Sequence, residues 1–142
     1  MLAKHVYPMD PTELFRQLSF HDSVIEDFFL DQSAGLLRLT VEFGNYNQVT
    51  YDKAKDPEVI PGKLEFDGVS NFQQEPENAL TLWSKHADGE ILSAETELMN
   101  RDQPIVKLVC VITDYKTRNR ETCVFKFEST GVTWRPDSTI AT

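Results

Sequence analysis

Ile105-Val-Lys-Leu-Val-Cys-Val-Ile-Thr113 and Glu121-Thr-Cys-Val-Phe-Lys-Phe-Glu-Ser129, joined through Asp114 and the basic interval Tyr115-Lys-Thr-Arg-Asn-Arg120, decide the fold class. The first stretch is nearly continuously apolar, and the second alternates Cys123, Phe125 and Phe127 with Thr122, Val124, Lys126 and Glu128. Successive side chains of a strand point to opposite faces, so the pair reads as a β-hairpin with one buried face. Pairing Asp114 with Glu121 sets Cys110 against Phe125 and Cys123 against Ile112. The two thiols then become diagonal neighbours on one face, too far apart for easy bridging. Val132-Thr-Trp-Arg135 adds a final edge, and residues 136–142 read as a frayed tail.

Working back toward the N-terminus, the same period recurs. Leu37, Leu39, Val41 and Phe43 alternate with Arg38, Thr40 and Glu42, and residues 24–30 are rich in branched and aromatic side chains. Asp31-Gln-Ser-Ala-Gly35 joins these two as a hairpin turn. Leu64 and Phe66 mark a strand over residues 63–67, residues 79–83 a short one, and residues 90–99 another that follows a sharp turn at Asp88-Gly89. Ahead of them, Asp10-Pro11-Thr12-Glu13 has the form of a helix start: a capping carboxylate, proline at the first helical position, and Glu13 as in a capping box. A helix over residues 11–18 puts Leu14, Phe15 and Leu18 on one face, enough to plug one end or side of a sheet.

The expected architecture is therefore α+β and mostly β: six to eight antiparallel strands in a sandwich or partly open barrel, with one short N-terminal helix. A four- to six-stranded sheet with one helical layer is the alternative. No repeat or linker divides the 142 residues, so a single domain is expected, and 40% apolar content suffices for a core. The first residues hold no apolar run of signal-peptide length, and nowhere is there the run of about 18 apolar residues that a membrane span needs. The expected location is the cytoplasm, where Cys110 and Cys123 stay reduced.

The net charge of −9 is unevenly spread. Residues 1–100 hold 18 acids against 7 bases, whereas residues 101–142 hold 5 acids against 7 bases. Phosphate backbones are held by Lys and Arg that release counterions, so nucleic acid is not an expected partner; a basic protein is. The longest interval between strands, residues 44–62, carries Tyr46, Tyr51, Asp52, Asp56 and Glu58. A loop of that length in a compact domain is usually functional or disordered, and tyrosines supply contact area at low entropic cost. These five residues are the candidate partner-binding set. The plainer reading of the acidity is a solvated surface that keeps a small domain in solution.

Catalysis has no positive support in the residues. His21-Asp22 supplies two ligands in the metal-dependent phosphohydrolases that share the dipeptide, but those need further His and Asp residues on neighbouring helices. This chain has only His5 and His86 besides, and little helix to carry them. Ser23 beside His21 and Asp22 has the residue types of a hydrolytic triad without its spacing. No Gly-x-Ser-x-Gly elbow or glycine-rich phosphate loop is present. No metal, cofactor or catalytic residue is expected. The alternative to an interaction module is a small-ligand binder or enzyme with a pocket near His21 and Asp22. Lys116, Arg118 and Arg120 form a cationic tip that discourages edge pairing, and Trp83 and Trp134 are expected in the core.

Leu18-Ser-Phe-His-Asp-Ser-Val-Ile-Glu-Asp27, followed by Leu37-Arg-Leu-Thr-Val-Glu-Phe43, resembles the opening of small uncharacterised bacterial proteins with a His-Asp-Ser-x-Ile segment. Some of these are grouped with immunity proteins of polymorphic toxin systems. The resemblance covers the first 70 residues, ending near Phe66-Asp-Gly-Val69, and implies a binding function with no catalytic residues.

Overall fold

The computed structural model describes residues 8–83, 87–97 and 103–137. His5, His86, Met99 and most of the expected tail lie outside them. One helix, α1 (Pro11–Gln17), precedes eight strands: β1 (Val24–Asp31), β2 (Leu36–Gly44), β3 (Val59–Asp67), β4 (Ser70–Glu75), β5 (Ala87–Glu97), β6 (Ile105–Asp114), β7 (Arg120–Glu128) and β8 (Gly131–Pro136). Short 3-10 turns occupy Asn45–Asn47 and Ala79–Leu82. All pairings are antiparallel within one sheet of order β4-β7-β6-β5-β1-β2-β3-β8. No helix among the described residues is long and apolar enough to cross a membrane.

The two ends of that order are neighbours in the chain. β3 pairs β8 with Asp67 opposite Gly131, and β4 pairs β7 with Ser70 opposite Glu128. One register therefore runs round the corner from Asp67–Gly131 to Ser70–Glu128, and it shifts by one residue between Ser70 and Gln73. β3 and β4 are two halves of one long strand bent at Gly68 and Val69, and β7 and β8 are two halves of its partner, bent at Ser129 and Thr130. Gly68 takes a left-handed φ of 59° at this corner, and Thr130 N–H donates to the Asp67 carbonyl at 3.0 Å. The sheet is thereby rolled into a barrel, as an aligned two-sheet sandwich is not. It is weakest between β1 and β5, which meet at Val24–Glu90 and Ile25–Gly89.

Three sequence expectations change here. Asp88-Gly89 is not a turn but lies inside β5, and Gly89 serves close approach: a Cβ there would meet Cζ2 of Trp83 at 2.6 Å. Residues 79–83 form a 3-10 turn instead of a strand, setting Trp83 against Phe28 with ring centroids 5.1 Å apart. The β6–β7 register slips by two: Thr113 pairs Arg120, and Cys110 pairs Cys123 directly. Asp114 causes the slip, because its carboxylate accepts from the N–H groups of Lys116 and Thr117 at 2.8 and 3.2 Å while its own N–H donates to the Asn119 carbonyl at 2.9 Å. Arg118 closes this tighter turn at a φ of 63°. A slip of two keeps every side chain on its face, so the hydrophobic pattern could not detect it.

Inside the barrel, Phe20, Phe43, Phe66, Phe125, Phe127 and Trp134 are all essentially inaccessible to solvent. Trp134 packs on Phe43 and edge-on against Phe20, with centroids 5.2 and 5.8 Å away. Asp10 caps α1 as expected, accepting from Thr12 N–H at 2.7 Å, but Glu13 turns to Arg16 and Gln17 and leaves the capping box unformed. Leu14 and Leu18 are buried, Phe15 packs on Phe20 and Phe66, and the Thr12 hydroxyl bonds that of Thr96 on β5, so the helix is the expected plug.

Candidate functional site

His21, Asp22 and Ser23 tie three elements together through the backbone. Asp22 N–H donates to the Ile91 carbonyl at 2.9 Å and Ile91 N–H returns to the Ser23 carbonyl at 2.8 Å. The Ser23 hydroxyl, fully buried, accepts from Gly44 N–H at 2.9 Å. His21 Nδ1 lies 2.8 Å from the Leu92 carbonyl; a carbonyl only accepts, so Nδ1 carries the hydrogen. Leu92 is the bulged residue of β5, between Ile91 and Ser93, and the imidazole satisfies the carbonyl that the bulge displaces. Nε2 stands 3.4 Å from Asp22 Oδ1. Asp22 itself has a φ of 65°, a left-handed turn from helix linker into β1. The backbone of this segment, the Ser23 hydroxyl and His21 Nδ1 are thus engaged in holding β1, β2 and β5 in place.

Residues 45–58 are built onto the same clasp by three amide side chains. Asn45 Nδ2 donates to the Pro57 carbonyl at 2.8 Å, Asn47 Nδ2 to the His21 carbonyl at 2.8 Å, and Gln48 Nε2 to the carbonyls of Ser19 and Gly44 at 2.7 and 3.0 Å. Gln48 Oε1 in turn accepts from Ser19 N–H at 2.9 Å. At the far side Asp52 accepts from Ala54 N–H and Asp56 from Asp52 N–H, both at 2.9 Å, so these two carboxylates shape the turn. The two candidate sites, His21–Asp22 and the loop, are thus joined in one framework. What that framework turns outward is Tyr46, with 43% of its surface exposed, and Val49, which is wholly exposed. Val49 was not among the expected contact residues; its signal in the sequence was an apolar residue between two polar ones in a loop.

The loop carries three acids against Lys53 and Lys55, so it contributes little of the net charge. Tyr51 is the exception in its field: partial desolvation and then Glu58, Asp56 and Asp52 raise its pKa. The uncompensated acidity stands on the outer face of β1, β2 and β5. A second bulge, between Ile25 and Asp27, brings Glu26 beside Glu42. Burial and then the Glu42 carboxylate, by charge and by a direct hydrogen bond, raise the Glu26 pKa, with a smaller push from Asp88. Asp88 accepts from the Tyr115 hydroxyl, which with burial and these carboxylates pushes the phenol up to about 12. None of Glu26, Glu42 and Asp88 has an ion-pair partner among the described residues. These three positions are scattered over the sequence, and only the strand pairing assembles them.

Cys110 and Cys123 face each other across β6 and β7 inside the barrel. The hydrogen bonds Asp114 N–H to Asn119 and Ser129 N–H to Pro104 fix the alternation of the ladder, and by it the cysteines occupy a hydrogen-bonded pair. Such pairs hold Cα atoms about 5.5 Å apart, with side chains farther apart than in the neighbouring pair type. Burial, with the neighbouring thiol second, pushes Cys110 up to about 12; burial and Glu121 push Cys123 up to about 11. Both are packing residues and poor nucleophiles.

Among the described residues, one surface depression of about 150 Å³ lies among Asn71, Glu97, Ile105 and Lys126, and another of about 320 Å³ beside Asp10, Thr12, Glu13 and Arg16. His21 and Asp22 line neither. Among the described residues no cluster of His, Cys, Asp and Glu has the form of a metal site. No protein-family model, curated protein or solved structure matches the chain.

Proposed function

We propose that this chain is a protein-interaction module of the immunity type implied by its His-Asp-Ser-x-Ile segment, holding a basic partner protein on its acidic side with residues 45–58 as the contact loop. The observation that carries this reading is the rigid presentation of Tyr46 and Val49. Asn45, Asn47 and Gln48 hold the loop backbone by hydrogen bonds that need no partner, so little ordering entropy is left to lose on association. An aromatic and an aliphatic anchor in one loop with Asp52, Asp56 and Glu58 suits a partner with an apolar socket and basic groups nearby. The charges of Glu26, Glu42 and Asp88 add long-range attraction for the same kind of partner.

The test is capture of a basic protein by the intact chain at low and moderate salt, followed by affinity measurement with loop variants. Tyr46→Ala and Val49→Asp are each expected to weaken binding about 10- to 100-fold. Asp52→Asn with Asp56→Asn slows association and flattens its salt dependence. Loop variants that fold normally and bind as tightly as the parent would end this reading.

A further inference from the structure

β5, β6 and β7 present an outward face that no described element covers, and its registers arrange it in rows. Asp88 stands opposite Thr113 and Arg120; Glu90 opposite Val111 and Thr122; Ser93 opposite Val109 and Val124; Glu95 opposite Lys107 and Lys126. Read down the strands, the β5 column is acidic apart from Ser93 and has no base. The β6 column is centred on Val109 and Val111, both part-exposed, and the β7 column carries Arg120 and Lys126 at its two ends. An acidic column, a column with two valines between Thr113 and Lys107, and a column with basic ends therefore lie side by side at strand spacing of about 5 Å.

This order is self-complementary. A two-fold axis lying in the contact plane along β6 sets each β5 residue of one copy against the β7 residue of the same row in the other. Asp88 then meets the second copy's Arg120, and Val109 and Val111 of β6 meet their own counterparts. The rows farther from the β6–β7 turn oppose this: Lys107 meets the second copy's Lys107 on the axis, Glu97 is set against Glu128, and Lys126 is already paired with Glu97 of its own copy at 3.3 Å, so the contact is centred on the rows nearer the turn. Within one copy Asp88 and Arg120 sit two strands apart and form no ion pair, and Arg120 is exposed with no ion-pair partner among the described residues.

We propose that the outer face of β5, β6 and β7 binds a second copy of this chain in a two-fold dimer, with Asp88 and Arg120 as its reciprocal charge pair. Three strands over these rows offer on the order of 400 Å² per copy, about half the area of a standard interface, so the dimer is weak and sensitive to salt. It leaves the Tyr46 and Val49 loop outside the contact and does not depend on what that loop binds.

Sedimentation equilibrium on the full chain tests it, from about 5 to about 500 µM protein in about 25 mM and about 500 mM NaCl. A mass rising toward twice the monomer at low salt, and falling back at high salt, is expected. Asp88→Arg and Arg120→Asp singly each weaken association at least about tenfold. The two together in one chain restore it, because each copy's new arginine meets the other's new aspartate. Since Asp88 also accepts from Tyr115, a folding defect in Asp88→Arg is bypassed by Asp88→Asn, which keeps an acceptor for the Tyr115 hydroxyl while removing the charge and is expected to weaken association as Arg120→Asp does. A monomer throughout the range at low salt overturns the proposal, as does a dimer that ignores the single reversals or a double variant as weak as its parents.

Discussion

On the outer face of β2, Arg38 and Glu42 are separated along the face by Thr40 alone, yet they belong to opposite electrostatic settings. Toward β3 and β8, Arg38 Nε bonds Glu65 at 2.7 Å, Arg135 Nε bonds the other oxygen of the same carboxylate at 2.9 Å, and the Arg38 guanidinium lies over the Phe29 ring. Burial alone would raise the Glu65 pKa; the two guanidinium groups together outweigh it and hold the carboxyl below its usual value. Toward β1 and β5, Glu26 meets Glu42 and feels Asp88, none of them with an ion-pair partner among the described residues, and the Glu26 pKa moves the other way. One sheet thus compensates its charges where β3 and β8 close the barrel and leaves them uncompensated where β1 meets β5. Compensation marks the part of the surface where ion pairs join strands; its lack marks the side proposed above to meet a basic partner.

The contrast is open to breakage at several scales. The largest effect lies beneath the compensated side: Trp134→Ala is expected to cost about 3–5 kcal/mol in urea unfolding, and a loss near zero would separate that side from the stability assigned to it. On the surface above, Glu65→Gln removes a carboxylate from two guanidinium groups and costs about 1 kcal/mol after allowance for partial exposure. Across β2 the sign reverses. Glu26→Gln relieves repulsion and stabilises the protein by a few tenths of a kcal/mol at neutral pH; a destabilised variant would show that the glutamate is structural.

The pH dependence sharpens the same comparison. Glu65, with its pKa lowered on folding, stabilises the fold above its unfolded value near 4.3, and that contribution is lost as pH falls through the depressed folded value. Glu26, with its pKa raised, favours the fold below its unfolded value, and that contribution is lost as pH rises through the folded one. Thermal melts from neutral to acid pH are therefore expected to show first a small gain from Glu26 and then a loss from Glu65. Glu26→Gln removes the gain and Glu65→Gln blunts the loss.

The strands with strict alternation, such as residues 37–43 and 121–128, were legible because burial of one face leaves a period of two in the chain. β4 was not, since Ser-Asn-Phe-Gln-Gln-Glu shows neither that period nor strand-forming composition. It is a strand because it carries the chain on from β3 to pair with β7, through a bulge between Ser70 and Gln73, a long-range cause. Gly89 misled for a similar reason: the glycine answers to Trp83, a neighbour in space, and not to a turn. At the candidate site, the residue types of the loop were visible but its amide supports were not, because Asn47 and Gln48 act on His21 and Ser19. His21 and Asp22 drew attention as chemistry, whereas their bonds go to backbone groups of β5 that no local pattern announces.

The shared register through β3–β4 and β7–β8 also sets an order of events at the ribosome. The edge of β3 is completed by residues 131–136, about 70 residues further along the chain than β3 itself. At roughly 5–20 residues per second, several seconds of synthesis separate the two, and throughout them the nascent β1–β2–β3 meander has an open edge. The aromatic surface that Trp134 later covers, Phe43 and Phe20, is bare over the same interval. Newly made chains are thus at their most vulnerable before β8 emerges, and a shortened chain ending ahead of Gly131 will need chaperone protection that the complete barrel does not.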